Sequence, residues 1–158
     1  METQTSDITK DGEQFIRTQK MSRNAYVVLL GLNVFDVTGL VRVVQKGLPW
    51  KAFARFVRNS ALSAEQVADL IGVPRRTLAR RKADGRFMPV ESDRLLRAAR
   101  VFSGALDLYD GNREAARDFF VAPNWAFGGI SPFELARTDI GAMEVENLYG
   151  QIAHGIFS

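Results

Sequence analysis

The stretch 63–82 constrains the fold most strongly, because its pattern predicts two short helices joined by a tight turn. Ser63 is suited to cap the first helix, since its hydroxyl can accept a hydrogen bond from a free N–H of the first turn. Apolar residues then recur at helical spacing at Val67, Leu70 and Ile71. Gly72 adopts the left-handed backbone of a turn at little cost, and Pro74 suits the first turn of a second helix. We therefore predict a helix-turn-helix over 63–82.

The second helix of this motif would present a basic outward face, with Leu78 pointing inward. The outward residues are Arg75, Arg76, Ala79 and Arg80. In this motif the second helix enters the DNA major groove, where Arg can bind guanine O6 and N7 in a bidentate contact. Other cations can neutralise phosphates. The residues predicted to contact DNA are Arg75, Arg76, Thr77, Arg80, Arg81 and Lys82.

A helical hairpin with a solvated basic face is the alternative interpretation of the same stretch. The turn residues and the charge agree with each other, which favours DNA binding. Arg81 departs from the general pattern, because many such motifs have an apolar core residue at its position. The second helix could therefore be short, or could lean on a flanking segment.

Charge is distributed unevenly along the chain, although its net value is only +3. Residues 74–100 contain nine Arg or Lys against three carboxylates, whereas residues 101–158 contain three Arg against eight carboxylates. A basic centre beside an acidic C-terminal third predicts two partners. Nucleic acid suits the first region, and a different partner suits the second.

Cysteine content and hydropathy indicate the cellular compartment in which the protein works. The chain has no cysteines, which excludes disulfides and thiolate metal sites and is compatible with a reducing cytosol. The longest apolar run, 26–35, is too short to span a bilayer, and the polar N-terminus does not have the pattern of a signal peptide. We expect a cytoplasmic protein.

The remaining pattern predicts an all-α protein with a polar, mobile arm at 1–23, an N-terminal helical domain at 24–88 and a C-terminal helical domain at 89–158. The run 26–35 fits either a buried strand or a helix. Three helices are expected to start or end at named residues: one over Val37–Lys46, one opening at Pro49, and the longest beginning at Pro89 after a turn at Ala83–Gly85. The longest helix carries a heptad-like seam at Leu95, Ala99, Phe102, Leu106 and Tyr109. This seam fits either an intramolecular core or a dimer contact.

The C-terminal third contains three further helix starts, at Asn112, at Ser131 and near Thr138. The loop 123–129 places two aromatics beside a Gly pair, which predicts a tightly packed connector with a special backbone. An apolar pair, Ile156 and Phe157, stands at the extreme terminus. Such a pair is unusual in water and favours docking against the domain or insertion into a partner.

No constellation of residues in the sequence supports catalysis. The only histidine is His154, and no Ser or Cys nucleophile motif surrounds it. No spacing of His, Asp or Glu is typical of a metal site. We therefore expect neither an enzyme nor a bound cofactor or metal, and the charge distribution favours a binding protein.

The helix-turn-helix together with the C-terminal pattern resembles the Xre/ParS-type antitoxins of the RES–Xre toxin–antitoxin systems. The resemblance covers roughly residues 25–158 and is most specific in the C-terminal part. It is carried by Val73–Lys82, Glu91–Arg97, Pro123-Asn124, Gly128-Gly129, Ser131-Pro132, Gly141, Glu144–Leu148, Gln151-Ile152 and His154-Gly155. Within this family Arg81 is not unusual.

The resemblance implies the antitoxin of a two-gene pair, whose partner is a RES-domain toxin that depletes NAD+. The C-terminal domain would bind that toxin and cover or fill the entrance to its active site. The protein would also form a homodimer within a toxin–antitoxin hetero-oligomer and would bind its own operator DNA. The residues expected to contact the toxin are Tyr149, Gln151, His154, Gly155, Ile156 and Phe157.

Two other functions compete with this expectation. One is a stand-alone helix-turn-helix transcription regulator whose C-terminal domain only dimerises or binds an effector. The other is an enzyme with a helix-turn-helix appendage, which would need a catalytic group that the sequence does not offer. An adjacent reading frame for a RES-type toxin would separate the antitoxin from the regulator.

Overall fold

The computed structural model describes residues 24–153 and residue 155, and this part of the chain contains α-helices and no β-strand. The helices are α1 Ala25–Leu29, α2 Val37–Lys46, α3 Trp50–Ser60, α4 Ala64–Leu70, α5 Arg75–Asp84, α6 Pro89–Leu108, α7 Arg113–Val121, α8 Pro132–Ala136 and α9 Asp139–Ala153. A short 3-10 helix, Trp125–Phe127, lies between α7 and α8. The all-α prediction is confirmed, whereas the predicted arm at 1–23 lies outside the described residues. In the part of the chain that the structure describes, no helix combines the length and the hydropathy that a membrane span requires.

Helices α4 and α5 form the predicted helix-turn-helix. Ser63 caps α4 through a reciprocal pair of hydrogen bonds: its Oγ accepts from the Gln66 N–H at 3.0 Å, and Gln66 Oε1 accepts from the Ser63 N–H at 2.9 Å. Gly72 makes the turn with a φ of +68°, a left-handed conformation that favours glycine. Pro74 occupies the N-cap of α5 rather than its first turn, one residue earlier than expected.

The second helix is longer than the sequence indicated. It continues through Ala83 and Asp84, which were expected to form a turn, and only Gly85 leaves the helix, with a φ of +76°. The backbone just beyond it is fixed by the start of α3, because the Trp50 N–H donates to the Gly85 carbonyl at 2.9 Å. The far end of α5 is therefore held against the N-terminal helices.

The N-terminal segment resolves the ambiguity at 26–35. Its first residues form the short helix α1, and the rest is a turn and an irregular connection to α2. Helix α2 has the predicted bounds: Asp36 caps it by accepting from the Gly39 N–H at 2.9 Å, and Gly47 ends it. Gly47 lies against the Phe87 carbonyl so closely that a side chain at this position would collide with it.

Helix α6 is the centre of the molecule and packs against α1, α2, α7 and α9. Three residues of its heptad-like seam, Leu95, Ala99 and Phe102, are completely buried in the core. The seam therefore serves the intramolecular core, which settles one of the alternatives left open by the sequence. A chain of edge-to-face rings continues this core from Phe56 through Phe102 to Phe120, with centroid distances of 6.0 and 5.4 Å.

The C-terminal helices begin at capping residues that the sequence predicted. Asn112 Oδ1 accepts from the Ala115 N–H at 3.1 Å, and Ser131 Oγ accepts from the Glu134 N–H at 3.1 Å. The Glu134 carboxylate pairs with Arg137 Nη1 at 3.1 Å. Helix α9 then runs along α6 and ends at Ala153. Buried residues on both sides of the predicted domain boundary at 88/89 belong to one core cluster.

Candidate nucleic-acid interface and protein-binding surface

The outward face of α5 is cationic and open to solvent. Four cations of this helix are exposed: Arg75, Arg76, Arg80 and Lys82. Thr77 is half-buried, and Leu78 packs against the core as predicted. Since no residue of α5 is fully buried, the helix lies on the surface with these four cations directed outward. This is the arrangement that a helix needs to enter a major groove.

Arg81 differs from the other cations of α5, because it is turned toward α6. Its Nε donates to Glu91 Oε1 at 2.6 Å, and the two side chains are only 12% and 13% exposed. The same Glu91 oxygen accepts from the Met88 N–H at 2.8 Å, which caps the start of α6. An ion pair thus takes the place of the apolar contact that many helix-turn-helix motifs have at this position. It joins α5 to the following helix, α6.

The electrostatics of this pair favour its charged form. Burial alone would raise the pKa of the Glu91 carboxyl, but the hydrogen bonds from Arg81 and the Met88 N–H outweigh burial and lower that pKa. The hydrogen bond to Glu91 raises the pKa of the Arg81 guanidinium. Both groups are therefore charged at neutral pH, and the contact is a charge-assisted hydrogen bond.

Replacing Glu91 by Gln is expected to lower the free energy of unfolding by about 1–3 kcal/mol at pH 7, because the charge-assisted hydrogen bond is removed. The folded-state pKa of Glu91 lies below its unfolded value. Its contribution is therefore fully present above the unfolded pKa and is lost as the pH falls through the folded pKa. Urea unfolding at pH 7 and pH 3 should show the difference between the two proteins shrinking at the lower pH. Glu144→Gln, which removes an exposed carboxylate of α9, is the control, and an equal effect of both changes would contradict the assignment.

Other cations of the basic stretch 74–100 bind groups of the same chain. Arg86 Nη1 donates to the Gly47 carbonyl at 2.5 Å at the end of α2. Arg97 Nη2 donates to the Arg137 carbonyl at 3.3 Å, and Arg100 Nε pairs with Glu146 at 2.8 Å. The sequence predicted a basic centre, and the structure shows that its outward-facing positive charge is concentrated on α5.

Tyr149, predicted to contact a partner, lies in the core instead. It is 7% exposed, and its ring covers Gly104 of α6 so closely that any side chain there would collide with it. Phe119 lies on its other side, with a ring-centroid distance of 6.3 Å. Burial raises the pKa of the Tyr149 phenol well above its usual value. Tyr149 therefore packs α9 against α6, and only a small part of its surface is open to a partner.

The end of α9 leads into the predicted tail. Gln151 is exposed, and Gly155 is exposed with a φ of +66°. The other predicted contacts, His154, Ile156 and Phe157, lie outside the described residues.

The structure reveals an exposed tryptophan that the sequence did not single out. Trp125 is 82% exposed, although the sequence indicated a packed connector at this loop. Asn124 fixes the turn, since its side chain accepts from the Ala126 N–H and its carbonyl accepts from the Gly129 N–H, both at 2.9 Å. The Gly pair signalled the special backbone correctly, with φ values of +67° and +88° at Gly128 and Gly129. On α9, Ile140 and Met143 are also exposed, at 80% and 56%.

The helix-turn-helix is joined to the C-terminal helices by an ion pair between Asp69 of α4 and Arg137, at 3.2 Å. Both residues line a cleft of about 440 Å³. The cleft is lined by both signs of charge, the cations Arg94 and Arg137 and the carboxylates Asp69 and Glu134, so it lacks the single-sign charge of an anion or cation site. Among the described residues no group of His, Cys, Asp and Glu could hold a metal ion.

Comparisons with known proteins match both halves of this arrangement. Residues 39–100 match the model of the antitoxin Xre-like helix-turn-helix domain, and residues 98–155 match that of the antitoxin Xre/MbcA/ParS C-terminal toxin-binding domain. Antitoxin Xre of Yersinia enterocolitica serotype O:8 is 34% identical over 130 residues, which cover 82% of this chain and 88% of that protein. The chain belongs to the Xre antitoxin family. Antitoxin Xre of Photorhabdus laumondii is 28% identical over 145 residues, covering 91% and 98% of the two chains.

The Xre family models divide the chain within helix α6, near residues 98–100. The exposed cations of α5 lie in the helix-turn-helix part, and Trp125 and α9 lie in the toxin-binding part. The resemblance seen in the sequence is confirmed. The two surfaces described above therefore belong to the two domains of an Xre antitoxin.

Proposed function

We propose that this chain is the antitoxin of a type II toxin–antitoxin pair, that it neutralises a RES-domain, NAD+-depleting toxin by direct binding, and that it represses its own operon. One observation carries the proposal. The same chain contains a helix-turn-helix with an exposed cationic helix and, after it, a domain matched by a toxin-binding model. The RES identity of the toxin rests on the sequence resemblance. Function in the cytoplasm follows from the partners proposed.

For DNA, the proposal assigns base and phosphate contacts to the exposed face of α5. Arg75 and Arg76 stand at its N-terminal end, where residues of the recognition helix contact base edges. Arg80 and Lys82 are placed to neutralise phosphates. Arg81 is a positioning residue, because its side chain is engaged with Glu91. A homodimer would place two copies of α5 on half-sites about 34 Å apart, or a multiple of that distance.

For the toxin, the proposal assigns contacts to the tail from Gln151 to Phe157 and to the turn that carries Trp125. Tryptophan is enriched among the residues that dominate binding at protein interfaces. A turn whose backbone is already hydrogen-bonded loses little conformational entropy when it binds. Trp125 is therefore proposed as an anchor of the toxin contact that acts beside the tail.

Trp125→Ala is expected to weaken toxin binding roughly 30-fold or more, since truncation of such an anchor costs about 2 kcal/mol or more. Trp125 is 82% exposed, and thermal unfolding of the variant checks that a loss of binding is not a loss of folding. Calorimetric titration with the purified toxin measures the effect. Phe35→Ala removes a 51% exposed aromatic that lies outside the residues matched by the toxin-binding model, and it is the control. Equal affinities of wild type and Trp125→Ala would remove this residue from the interface.

The proposed function is tested by co-expressing this chain with the product of its neighbouring gene, followed by size exclusion and an NAD+ assay in the cells. A stable complex, together with NAD+ that is preserved only when this chain is present, is the expected result. A stable complex with NAD+ unaffected by the toxin would leave the antitoxin function and reject the RES assignment. The absence of both effects would favour a stand-alone transcription regulator with a C-terminal dimerisation or effector domain.

A further inference from the structure

Four exposed cations lie beside the joint at which the ends of α2 and α5 meet the start of α3. They are Lys46 in the last turn of α2, Lys51 in the first turn of α3, Lys82 in the last turn of α5 and Arg86 just beyond that helix. We call these four residues the junction cluster. Three of them lie outside the helix-turn-helix at 63–82, to which the DNA contacts were assigned above.

Backbone and side-chain contacts hold this joint together. The Trp50 N–H at the start of α3 donates to the Gly85 carbonyl at 2.9 Å. Arg86 spans the same joint, since its Nη1 donates to the Gly47 carbonyl at 2.5 Å. The rings of Trp50 and Phe87 stack, with their centroids 5.6 Å apart. The backbone that carries the junction cluster is therefore fixed before any ligand binds, which lowers the entropy cost of binding.

Little negative charge offsets the junction cluster. Residues 37–62, which contain α2 and α3, have five Arg or Lys and no carboxylate. The carboxylate of Asp84, at the end of α5, lies 3.9 Å from Arg81 Nη1. In the described part of the chain, no cation of the junction cluster forms an ion pair. Like charges gathered on one surface create a positive potential, which attracts an anionic ligand.

Helix electrostatics account for part of this cluster but not for Lys51. A cation in the last turn of a helix is stabilised by the negative end of the helix dipole, so Lys46 and Lys82 have a structural reason for their positions. Lys51 stands in the first turn of α3, where the same dipole disfavours a positive charge and favours a carboxylate. That first turn contains no acidic residue. An exposed lysine at this unfavourable position indicates a ligand of negative charge.

We propose that the junction cluster binds the phosphate backbone of operator DNA beside the major groove that α5 enters. The N-terminal residues of a recognition helix contact base edges, so Arg75 marks the end of α5 that lies in the groove. The cluster lies at the other end of α5, which has ten residues and is therefore about 15 Å long. The major groove is about 12 Å wide, so this end of the helix reaches a phosphate strand that borders the groove.

The position of the cluster in the chain favours DNA over the toxin as its ligand. All four cations lie within residues 39–100, which match the helix-turn-helix model, and outside residues 98–155, which match the toxin-binding model. The exposed cations of α5 lead along one helix to the cluster, so the two form a continuous cationic surface. The inference rests on the DNA binding proposed above and adds contacts from outside the helix-turn-helix.

The test measures the salt dependence of DNA binding by fluorescence anisotropy, with the full chain. The probes are a duplex from the region upstream of its own gene and a scrambled duplex. Lys46→Gln and Lys51→Gln are each expected to reduce the slope of log affinity against log salt by about 0.9, and the double variant by about 1.8, because each lysine neutralises one phosphate. The ratio of the affinities for the two duplexes should stay unchanged, since phosphate contacts carry no sequence information.

Arg58→Gln is the matched control for these variants. It removes one exposed cation from α3, the helix that carries Lys51, at a position about 10 Å further along the helix. The change in net charge is the same, so a general loss of positive potential would act on both variants alike. We expect Arg58→Gln to keep the slope of wild type. Circular dichroism checks folding, and because Lys46 and Lys51 belong to different helices, either variant can test the cluster if the other does not fold.

Slopes of Lys46→Gln and Lys51→Gln that equal the slope of wild type, or an equal fall for Arg58→Gln, would overturn the inference. The proposed DNA binding would then still stand if Arg75→Ala weakened binding to the upstream duplex in the same assay. A wild type that binds neither duplex would reject both. If Lys51→Gln weakened binding of the purified toxin and left DNA binding intact, the ligand of the cluster would be the toxin, and the inference would be wrong.

Discussion

A chain that ends at Ala153 is expected to lose toxin neutralisation while it keeps its fold and its binding to operator DNA. This truncation preserves the whole of α9, including the contact between Tyr149 and Gly104 that holds the helix on α6. It removes only the five residues that follow, with the apolar pair Ile156 and Phe157. Apolar residues that are buried on binding contribute much of the energy of an interface, so the affinity should fall about 100-fold or more.

Growth and cellular NAD+ during toxin induction measure this loss. The full-length double variant with Ile156→Asp and Phe157→Asp should behave like the truncation, because it keeps the chain length and removes the apolar character. Ser158→Asp adds a charge beside the pair and should neutralise the toxin as wild type does. A truncated chain that still restores growth would assign toxin binding to other surfaces, with the turn at Trp125 as the first candidate.

The helix-turn-helix could be predicted closely because its signals are local. A capping serine, a glycine with positive φ and a proline act within a few residues of their own positions, so Ser63, Gly72 and Pro74 mark the ends of helices in the sequence itself. The errors at this motif were small shifts of boundary, at Pro74 and at Asp84. A helix end can shift by one or two residues at little cost in energy, so the sequence pattern does not fix these two boundaries to the residue.

The roles of particular side chains were harder to predict, because they depend on contacts distant in sequence. Arg81 stood out as a cation at a core position, but its partner Glu91 belongs to the next helix. The expected contact of Tyr149 with a partner rested on its position near the C-terminus, whereas its packing against Gly104 depends on the distant helix α6. Trp125 and Phe127 share one loop, yet Phe127 packs against the core and Trp125 is exposed. Only the tertiary structure separates the two aromatics.

Arg75→Ala and Arg76→Ala are each expected to weaken binding to the specific operator by about 1–3 kcal/mol if that arginine binds a guanine. This is roughly a 5- to 150-fold loss of affinity for operator, with a much smaller loss for scrambled DNA. The reason is geometric: both residues are exposed in the first turn of α5, where recognition helices contact base edges. Fluorescence anisotropy with operator and scrambled duplexes, each over a range of salt concentrations, measures both quantities.

Lys82→Ala separates the contribution of phosphate contacts from that of base contacts. It should weaken binding to all sequences alike and reduce the slope of log affinity against log salt by about 0.9, because one phosphate would no longer be neutralised. Arg81→Ala provides a different comparison, because its guanidinium is bound to Glu91, and its main expected effect is lower stability of the fold. If Arg75→Ala and Arg76→Ala weakened operator and scrambled DNA equally, α5 would bind phosphates without reading bases. Sequence specificity would then have to come from another element or from the shape of the DNA.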